Sequence, residues 1–202
     1  MHTVWQKNAL QWTREPEIYT LSDDEITVQT QPHTDLWQRT YYRFQNDNAP
    51  VLQTATDEPY FSFVVKTAFD SRRRFDQCGI AVYLDSENWL KASIEYENER
   101  FQHLGSVVTN RGYSDWATTE IPAGVRHMWY RLSRRGHDFK IECSPDGEVF
   151  RQMRICHLAA AGGTVSFGVY ACSPEDSSFT ARFSHARVLP CQWPAHDGQQ
   201  PD

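Results

Sequence analysis

The sequence predicts an all-β protein, folded as an antiparallel β-sandwich in one domain. Short runs rich in β-branched and aromatic residues recur along the chain between turn-forming clusters, and no stretch has the period of a long helix. The chain has 202 residues, which is enough for one all-β domain with a sizeable core. Aromatic residues make up 13% of it and charged residues 23%, which is typical of a globular protein.

The strands are predicted from these runs in chain order. They are Glu25–Thr30, Tyr41–Gln45, Tyr60–Phe69, Gln77–Asp85, Trp89–Tyr96, Gly105–Asn110, His127–Arg134, Asp138–Ser144, Phe150–Ile155, Thr164–Ala171 and Phe179–Val188. Four X-Pro pairs interrupt the first part of the chain, which is therefore interpreted as an irregular segment wrapping the sandwich. The domain is predicted over residues 1–190, and residues 191–202, rich in Pro and polar residues, are predicted to form a flexible tail.

Two hairpins have clear signals. Apolar and polar residues alternate strictly from Phe139 to Ser144, and the following Ser144-Pro145-Asp146-Gly147 has the residues of a tight turn. The polar segment from Asp85 to Asn88 separates two alternating strands, which should pair antiparallel.

Composition and charge argue against several function classes. A formal charge of −6 and a pI near 5.7 leave no excess of basic residues for a nucleic-acid backbone, so nucleic acid is not an expected partner. We expect no membrane association, because the sequence has neither a signal peptide nor an apolar run that could span a bilayer. Five widely spaced cysteines favour reduced thiols in the cytoplasm. Eight scattered histidines give no metal-site spacing, and no cofactor is expected.

The alternation of the central strands predicts which residues face outward. If Cys78, Ile80 and the other alternating apolar residues face the core, the opposite face carries Gln77 and Tyr83 on one strand. The next strand then adds Trp89, Lys91 and Glu95. Aromatic rings beside amide and carboxylate groups are suited to sugars, which offer C–H faces and hydroxyls. The alternative is an ordinary solvated face in which Lys91 and Glu95 form a surface pair.

Further aromatic and charged residues are expected near this face. Asp115 and Trp116 follow the strand ending at Asn110 and are interpreted as part of a loop at the end of the sheet. Arg131 shares a face with Trp129 in the next strand and could also reach the site. The alternatives are a buried Trp116 plugging the loop, an Asp115 that caps a turn, and a Trp129 in the core.

Several ordered motifs resemble the "regulation of enolase" family of concanavalin-A-like domains, a family of unknown function. The matching residues are Asp35-Leu36-Trp37, Asp47 to Pro50, Phe75 to Ile80, Trp89 to Glu95, Val107 to Thr109, Ser114-Asp115-Trp116, Trp129 to Arg131 and Ser144 to Gly147. The resemblance covers roughly residues 5–190 and implies a lectin/glucanase-type jelly roll with a concave face. It also implies similarity to the accessory domain of some family-43 xylosidases, and it brings no known activity. The chain departs from the family pattern at Cys78 and at Ala92-Ser93, without losing a polar group.

Three functions remain open. The first is a carbohydrate-binding, lectin-like protein that recognises a saccharide on the concave face, with the ligand-binding residues Gln77, Tyr83, Trp89, Lys91, Glu95, Asp115, Trp116 and Arg131. The second is a glycoside hydrolase with Glu95 and Glu97 as paired catalytic carboxylates, since residues two apart on a strand share a face. Asp115 is an alternative second acid. The third is a regulatory protein-interaction domain. The sequence leaves a monomer and a homodimer both open.

Overall fold

The computed structural model describes residues 3–4, 9–41 and 43–196 of the chain. The regular elements of these residues are strands, as predicted. They are β1 (Thr3–Val4), β2 (Gln11–Trp12), β3 (Ile18–Leu21), β4 (Glu25–Gln29), β5 (Leu36–Gln38), β6 (Gln45–Asp47), β7 (Val51–Thr56), β8 (Tyr60–Phe69), β9 (Gln77–Asp85), β10 (Asn88–Tyr96), β11 (Phe101–Asn110), β12 (Tyr113–Pro122), β13 (His127–Arg135), β14 (Asp138–Ser144), β15 (Arg151–His157), β16 (Val165–Cys172) and β17 (Thr180–Pro190).

Two large antiparallel sheets form the sandwich. One is a seven-stranded sheet in the order β12-β11-β10-β9-β16-β7-β2. The other is an eight-stranded sheet in the order β15-β14-β13-β8-β17-β4-β3, with β1 also paired to β17. The main apolar core lies between them and includes Phe63 and Tyr130 from one sheet and Ile80 and Phe167 from the other. The prediction of an all-β sandwich is confirmed.

The predicted alternation of the central strands is also confirmed. β9 and β10 pair antiparallel through the Asp85–Asn88 turn, with Leu90 opposite Val82 and Ile94 opposite Cys78 in the inward-facing rows. Because strand side chains alternate, Gln77, Lys91 and Glu95 occupy the outer face of the seven-stranded sheet. This face carries the cleft described below.

The first part of the chain is more regular than expected. Residues 9–60 contribute edge strands to both sheets and a separate hairpin, β5–β6. The strand predicted over Tyr41–Gln45 is wrong in position: Tyr41 lies at the hairpin tip with φ 79°, Arg43 has φ 58°, and the strand starts at Gln45. Residue 42 of that prediction lies outside the described residues.

The segment Ser114-Asp115-Trp116 was predicted to be a loop, but it is part of the edge strand β12. This strand pairs with β11 along its whole length, from Tyr113 opposite Asn110 to Pro122 opposite Phe101. Its side chains are mostly exposed, so it lacks the apolar alternation that makes a strand visible in sequence.

The β5–β6 hairpin covers part of the outer face of the seven-stranded sheet. Leu36 is fully buried in a second, smaller apolar cluster against Tyr83, Trp89 and Val107. Polar contacts fix the hairpin at both ends: Arg14 pairs with Asp47 at 2.6 Å, and the backbone N–H of Gln38 donates to Ser114 Oγ at 2.9 Å. The hairpin thereby forms one wall of the cleft.

The residues that follow β17 are held against the eight-stranded sheet. The backbone N–H of Gln192 donates to Ser62 Oγ at 2.8 Å, and the Arg135 guanidinium donates to the Trp193 carbonyl at 3.1 Å. Residues 197–202 of the predicted tail lie outside the described residues, and the domain limit at residue 190 stays a prediction. Among the described residues, no helix is long and apolar enough to cross a membrane.

Candidate functional site

A cleft of about 860 Å³ lies on the outer face of the seven-stranded sheet, beside the β5–β6 hairpin. Its floor comes from β9, β10 and β11, and its walls from the hairpin, from β12 and from the segment before β9. The residues that line it are Asp35, Trp37, Thr40, Tyr41, Arg74, Phe75, Gln77, Lys91, Glu95, Glu97, Phe101, His103, Val107, Ser114, Asp115 and Trp116. The cleft thus joins polar side chains and several aromatic rings.

A hydrogen-bonded network forms the polar floor. The Lys91 ammonium donates to Asp35 Oδ1 at 3.2 Å and to Gln77 Oε1 at 3.0 Å. Gln77 Nε2 donates to Glu95 Oε2 at 2.9 Å and to the Phe75 carbonyl at 3.1 Å. These contacts use both amide protons of Gln77 and orient its side chain.

Tyr170 extends the network from β16. Its hydroxyl lies 2.9 Å from Gln77 Oε1 and 2.8 Å from Ser93 Oγ. Tyr170 and Ser93 are both register partners of Gly79, so the tyrosine reaches across that position. A Cβ at Gly79 would lie 1.8 Å from the Ala92 carbonyl oxygen, so a side chain there is excluded by the close approach of β10.

Lys91 is a buried cation, with 4% of its surface exposed. Burial alone lowers the pKa of Lys91, but the surrounding negative charges, led by Asp35, raise it by more, so the ammonium stays charged. The rings of Tyr170 and Trp89 lie 5.5 and 5.8 Å from Nζ and add cation–π attraction. Lys91 therefore fixes Asp35 and Gln77 in place.

Glu95 is a polar residue of the floor that is left partly unpaired. Its Oε1 atom is shielded from solvent and has no hydrogen-bond partner among the described residues. Burial raises the pKa of Glu95 to about 7, and the charges of Asp35 and Glu97 add to this rise, whereas Lys91 and Gln77 oppose it. The carboxyl is therefore able to exchange a proton near neutral pH.

This raised pKa predicts a pH-dependent stability. The folded state holds the Glu95 proton more tightly than the unfolded chain, where a glutamate has a pKa of about 4.3. A stabilising contribution is therefore lost as pH rises from about 4.3 through about 7. We expect the free energy of unfolding of Glu95→Gln, relative to that of wild type, to rise by about 2 kcal/mol between about pH 5 and about pH 8, after discounting for partial exposure.

Urea unfolding of both proteins at the two pH values measures this gain. Glu148→Gln, an exposed residue in the β14–β15 turn, is the control and should keep a constant difference from wild type. A Glu95→Gln difference that does not change with pH would contradict the assignment of a protonated Glu95.

His103 lies beside Glu95 on the cleft floor. The two residues are Cα partners on β11 and β10. His103 Nδ1 is buried and has no hydrogen-bond partner among the described residues, and its ring packs edge-on against Trp116 at 5.9 Å. A carboxyl and an imidazole thus face the same part of the cleft.

Aromatic rings form the upper walls. Trp37 of the hairpin and Trp116 of β12 meet edge-to-face with their centroids 6.3 Å apart, and Trp116 is 45% exposed. Phe75 lies on another side, where the Arg74 guanidinium packs over its ring at 4.4 Å. Arg74 also pairs with Glu97 at 2.9 Å, so Glu97 lines the cleft with its carboxylate already bound to a cation.

Gln77, Lys91, Glu95, Trp116 and Glu97 therefore come together in one cleft. Tyr83 and Trp89 were predicted to bind ligand on the same face, and this is wrong. They do face outward, but the β5–β6 hairpin covers them: Trp89 is fully buried, and the Tyr83 hydroxyl donates to Asp47.

The prediction that Arg131 reaches the site is also wrong. Arg131 belongs to β13, which lies in the eight-stranded sheet on the other side of the sandwich. There it pairs with Glu142 at 2.6 Å and packs over the ring of Phe150 at 4.4 Å. The chain changes sheets between β12 and β13, so neighbouring strands in sequence do not share a face here.

Asp115 lies at the rim of the cleft, but its carboxylate points away from the floor. It pairs with Arg154 of β15, in the opposite sheet, at 2.7 Å. Trp116 faces the cleft, and adjacent residues on a strand point to opposite sides. Asp115 is therefore poorly placed as a second acid beside Glu95.

Sequence reasoning missed Asp35, Trp37, His103 and Tyr170 as site residues. Asp35 and Trp37 belong to a motif shared with the family, which was the available signal for them. His103 was interpreted as an isolated histidine, because its position opposite Glu95 follows from the register of β10 and β11. No local signal marked Tyr170.

Comparison with known proteins finds a family profile and a relative that each match most of the chain. The profile of a family described as "Protein of unknown function (DUF1349)" matches residues 12–191. A relative from Saccharomyces cerevisiae, "Regulation of enolase protein 1", is 30% identical over 174 residues, which are 86% of this chain and 85% of the relative.

Solved structures show the same fold. A functionally unknown protein from Saccharomyces cerevisiae superposes with a TM-score of 0.85 at 27% identity, covering 92% of this chain and 98% of that one. The GH43 protein BlXynB from Bacillus licheniformis superposes with a TM-score of 0.71 at 18% identity, covering 93% of this chain but 38% of that protein. The second likeness is one of fold alone.

Proposed function

The chain belongs to the DUF1349 family, and we propose that it is a lectin-like protein that binds a saccharide in the cleft on the seven-stranded sheet. The observation that carries this proposal is the combination of aromatic walls with a preorganised polar floor. Trp37 and Trp116 offer apolar surfaces for the C–H faces of a sugar ring. Glu95 and His103 offer buried polar atoms without partners among the described residues, and sugar hydroxyls can satisfy both.

The floor also favours a neutral ligand. Lys91 is neutralised by Asp35, and Arg74 by Glu97. A cleft whose cations are already paired has no free charge to attract an anionic sugar, so neutral mono- and oligosaccharides are the first ligands to test. The net charge of −6 further supports a ligand other than nucleic acid.

A thermal-shift and calorimetric screen of neutral mono- and oligosaccharides, including hemicellulosic fragments, tests the proposal. We expect a ligand that raises the melting temperature, and a loss of roughly tenfold in affinity for Trp116→Ala, since one stacking contact contributes about 1.4 kcal/mol. Tyr113→Ala is the matched control: it lies on the same strand, is 65% exposed, and does not line the cleft. Equal weakening by both variants would speak against stacking in the cleft.

A glycoside hydrolase with Glu95 and Glu97 is the second candidate. The raised pKa of Glu95, to about 7, suits a general acid, and Glu97 lines the same cleft. Product analysis by chromatography of every ligand found in the screen separates this candidate from a binding protein. Turnover that disappears in Glu95→Gln would favour the hydrolase.

A regulatory role is a further candidate, favoured by the name of the Saccharomyces cerevisiae relative. Enolase turnover measured with and without the protein tests it directly. A change in enolase turnover, together with a saccharide screen that finds no ligand, would favour protein interaction over sugar binding as the function.

We propose a cytoplasmic location, which the free thiols of Cys78, Cys143, Cys156, Cys172 and Cys191 support. No membrane partner is proposed. Whether the protein is a monomer or a homodimer stays a prediction to be measured by light scattering.

A further inference from the structure

Two titratable side chains of the cleft keep a buried polar atom without a hydrogen-bond partner among the described residues: Glu95 Oε1 and His103 Nδ1. They are register partners on adjacent antiparallel strands. Side chains in such a pair have Cβ atoms about 4.5–5.5 Å apart. A ligand carbon that carries two oxygen atoms can therefore place one oxygen near Glu95 Oε1 and the other near His103 Nδ1.

The same two residues line a small pit at the bottom of the cleft. It has a volume of about 10 Å³ and is also lined by Gly105 and Trp116. A Cβ at Gly105 would lie 3.2 Å from Trp116 Nε1, so a larger residue there would crowd the tryptophan. The pit is close to the roughly 10–15 Å³ that one water molecule needs. It fits one hydroxyl oxygen and excludes a substituent attached to that oxygen.

We propose that the cleft interconverts the α and β anomers of a free reducing sugar, with His103 as the general base and Glu95 as the general acid. This inference rests on the proposed saccharide binding. The anomeric carbon C1 carries two oxygens, the hydroxyl O1 and the ring oxygen O5. An acid and a base side by side match this pair of oxygens, and a pit that holds only a hydroxyl selects a sugar whose O1 is unsubstituted.

The reaction is an isomerisation and needs no co-reactant. His103 Nδ1 takes the proton of O1 while the C1–O5 bond breaks, its electrons go to O5, and C1=O1 forms. The Glu95 carboxyl gives its proton to O5. The open-chain aldehyde rotates about C1–C2, and the reverse proton transfers close the ring on the other face and restore both side chains.

The pKa of Glu95 suits its role as the acid. Burial raises the pKa of Glu95 to about 7, and a general acid works best when its pKa is near the working pH. A neutral imidazole with its proton on Nε2 presents Nδ1 as an acceptor. The charged groups around the pair are Lys91, Asp35 and Glu97 near Glu95, and Glu120, which is opposite His103 on β12.

Saturation-transfer NMR of anomer exchange tests the inference on D-glucose, D-galactose, D-xylose and L-arabinose. We expect the protein to accelerate exchange of at least one of them well above the buffer rate. Glu95→Gln and His103→Gln should each reduce the protein-dependent rate about 100-fold. Glu148→Gln in the β14–β15 turn and His127→Gln on β13 are the same changes away from the cleft, and they should keep the wild-type rate.

A second measurement does not depend on the variants. The methyl α- and β-glycosides of the same sugars should bind the wild-type protein at least about tenfold more weakly than the free sugars, because the pit excludes the methyl group. Sugar binding without faster exchange, or equal binding of methyl glycosides, overturns this inference and leaves the proposed function standing. The absence of both binding and exchange overturns both.

Discussion

Replacing Lys91 with methionine is expected to lower the free energy of unfolding by about 3 kcal/mol, because it leaves a charged partner unpaired in a poorly hydrated site. Asp35 would lose its cation, and Gln77 Oε1 would lose one of its two donors. The expected loss is at the lower end of the range for buried pairs, since the Asp35 side chain retains 15% exposure.

Chemical unfolding measures this loss, with two controls. The double variant Lys91→Met/Asp35→Asn removes both charges and should recover much of the stability. Lys140→Met is the matched single change: Lys140 pairs with Glu142, which keeps Arg131 as a second cation, so a loss below about 1 kcal/mol is expected. Similar losses for Lys91→Met and Lys140→Met would mean that the floor network contributes little to stability.

Replacing Trp89 with alanine is expected to lower the free energy of unfolding by about 4 kcal/mol, as for other fully buried aromatic residues. Trp89 is fully buried and packs with Leu36 and Tyr83 beneath the β5–β6 hairpin. Because the hairpin carries Asp35 and Trp37, its loosening should also weaken any ligand bound in the cleft.

Trp129→Ala is the control for this prediction. Trp129 is partly buried on the outer face of the eight-stranded sheet, where it packs against Gly147 and His185. We expect a loss of about 1–2 kcal/mol and no effect on the cleft. Trp89→Phe, a milder change, keeps the test readable if the alanine variant does not fold. Equal losses at positions 89 and 129 would contradict the role of the second apolar cluster.

The sequence predicted well the geometry that depends on residues adjacent in the chain. The two-residue period of β9 and β10 predicted the faces of Gln77, Lys91 and Glu95, since strand geometry alone determines this alternation. It was less informative about exposure. Tyr83 and Trp89 lie on the predicted face, but a hairpin more than thirty residues earlier in the chain covers them, and no local pattern indicates where that hairpin docks.

Sheet membership and register were the other limits. Strand β13, which carries Arg131, is the next strand after β12 in sequence, yet it lies in the other sheet. His103 is placed beside Glu95 by the pairing of two strands, and Asp35 by the docking of the hairpin. Such long-range contacts form through the packing of the whole domain, and alternation within a single strand does not encode them.

The position of β17 has a consequence for the order in which the protein folds during synthesis. This strand, Thr180–Pro190, lies between β8 and β4, which both come more than a hundred residues earlier in the chain. The eight-stranded sheet therefore stays divided until β17 has left the ribosome. Strand β16, which carries Tyr170, is likewise late and inserts between β9 and β7. A nascent chain consequently exposes unpaired strand edges until β16 and β17 have been synthesised, which makes assistance by chaperones most valuable during that interval.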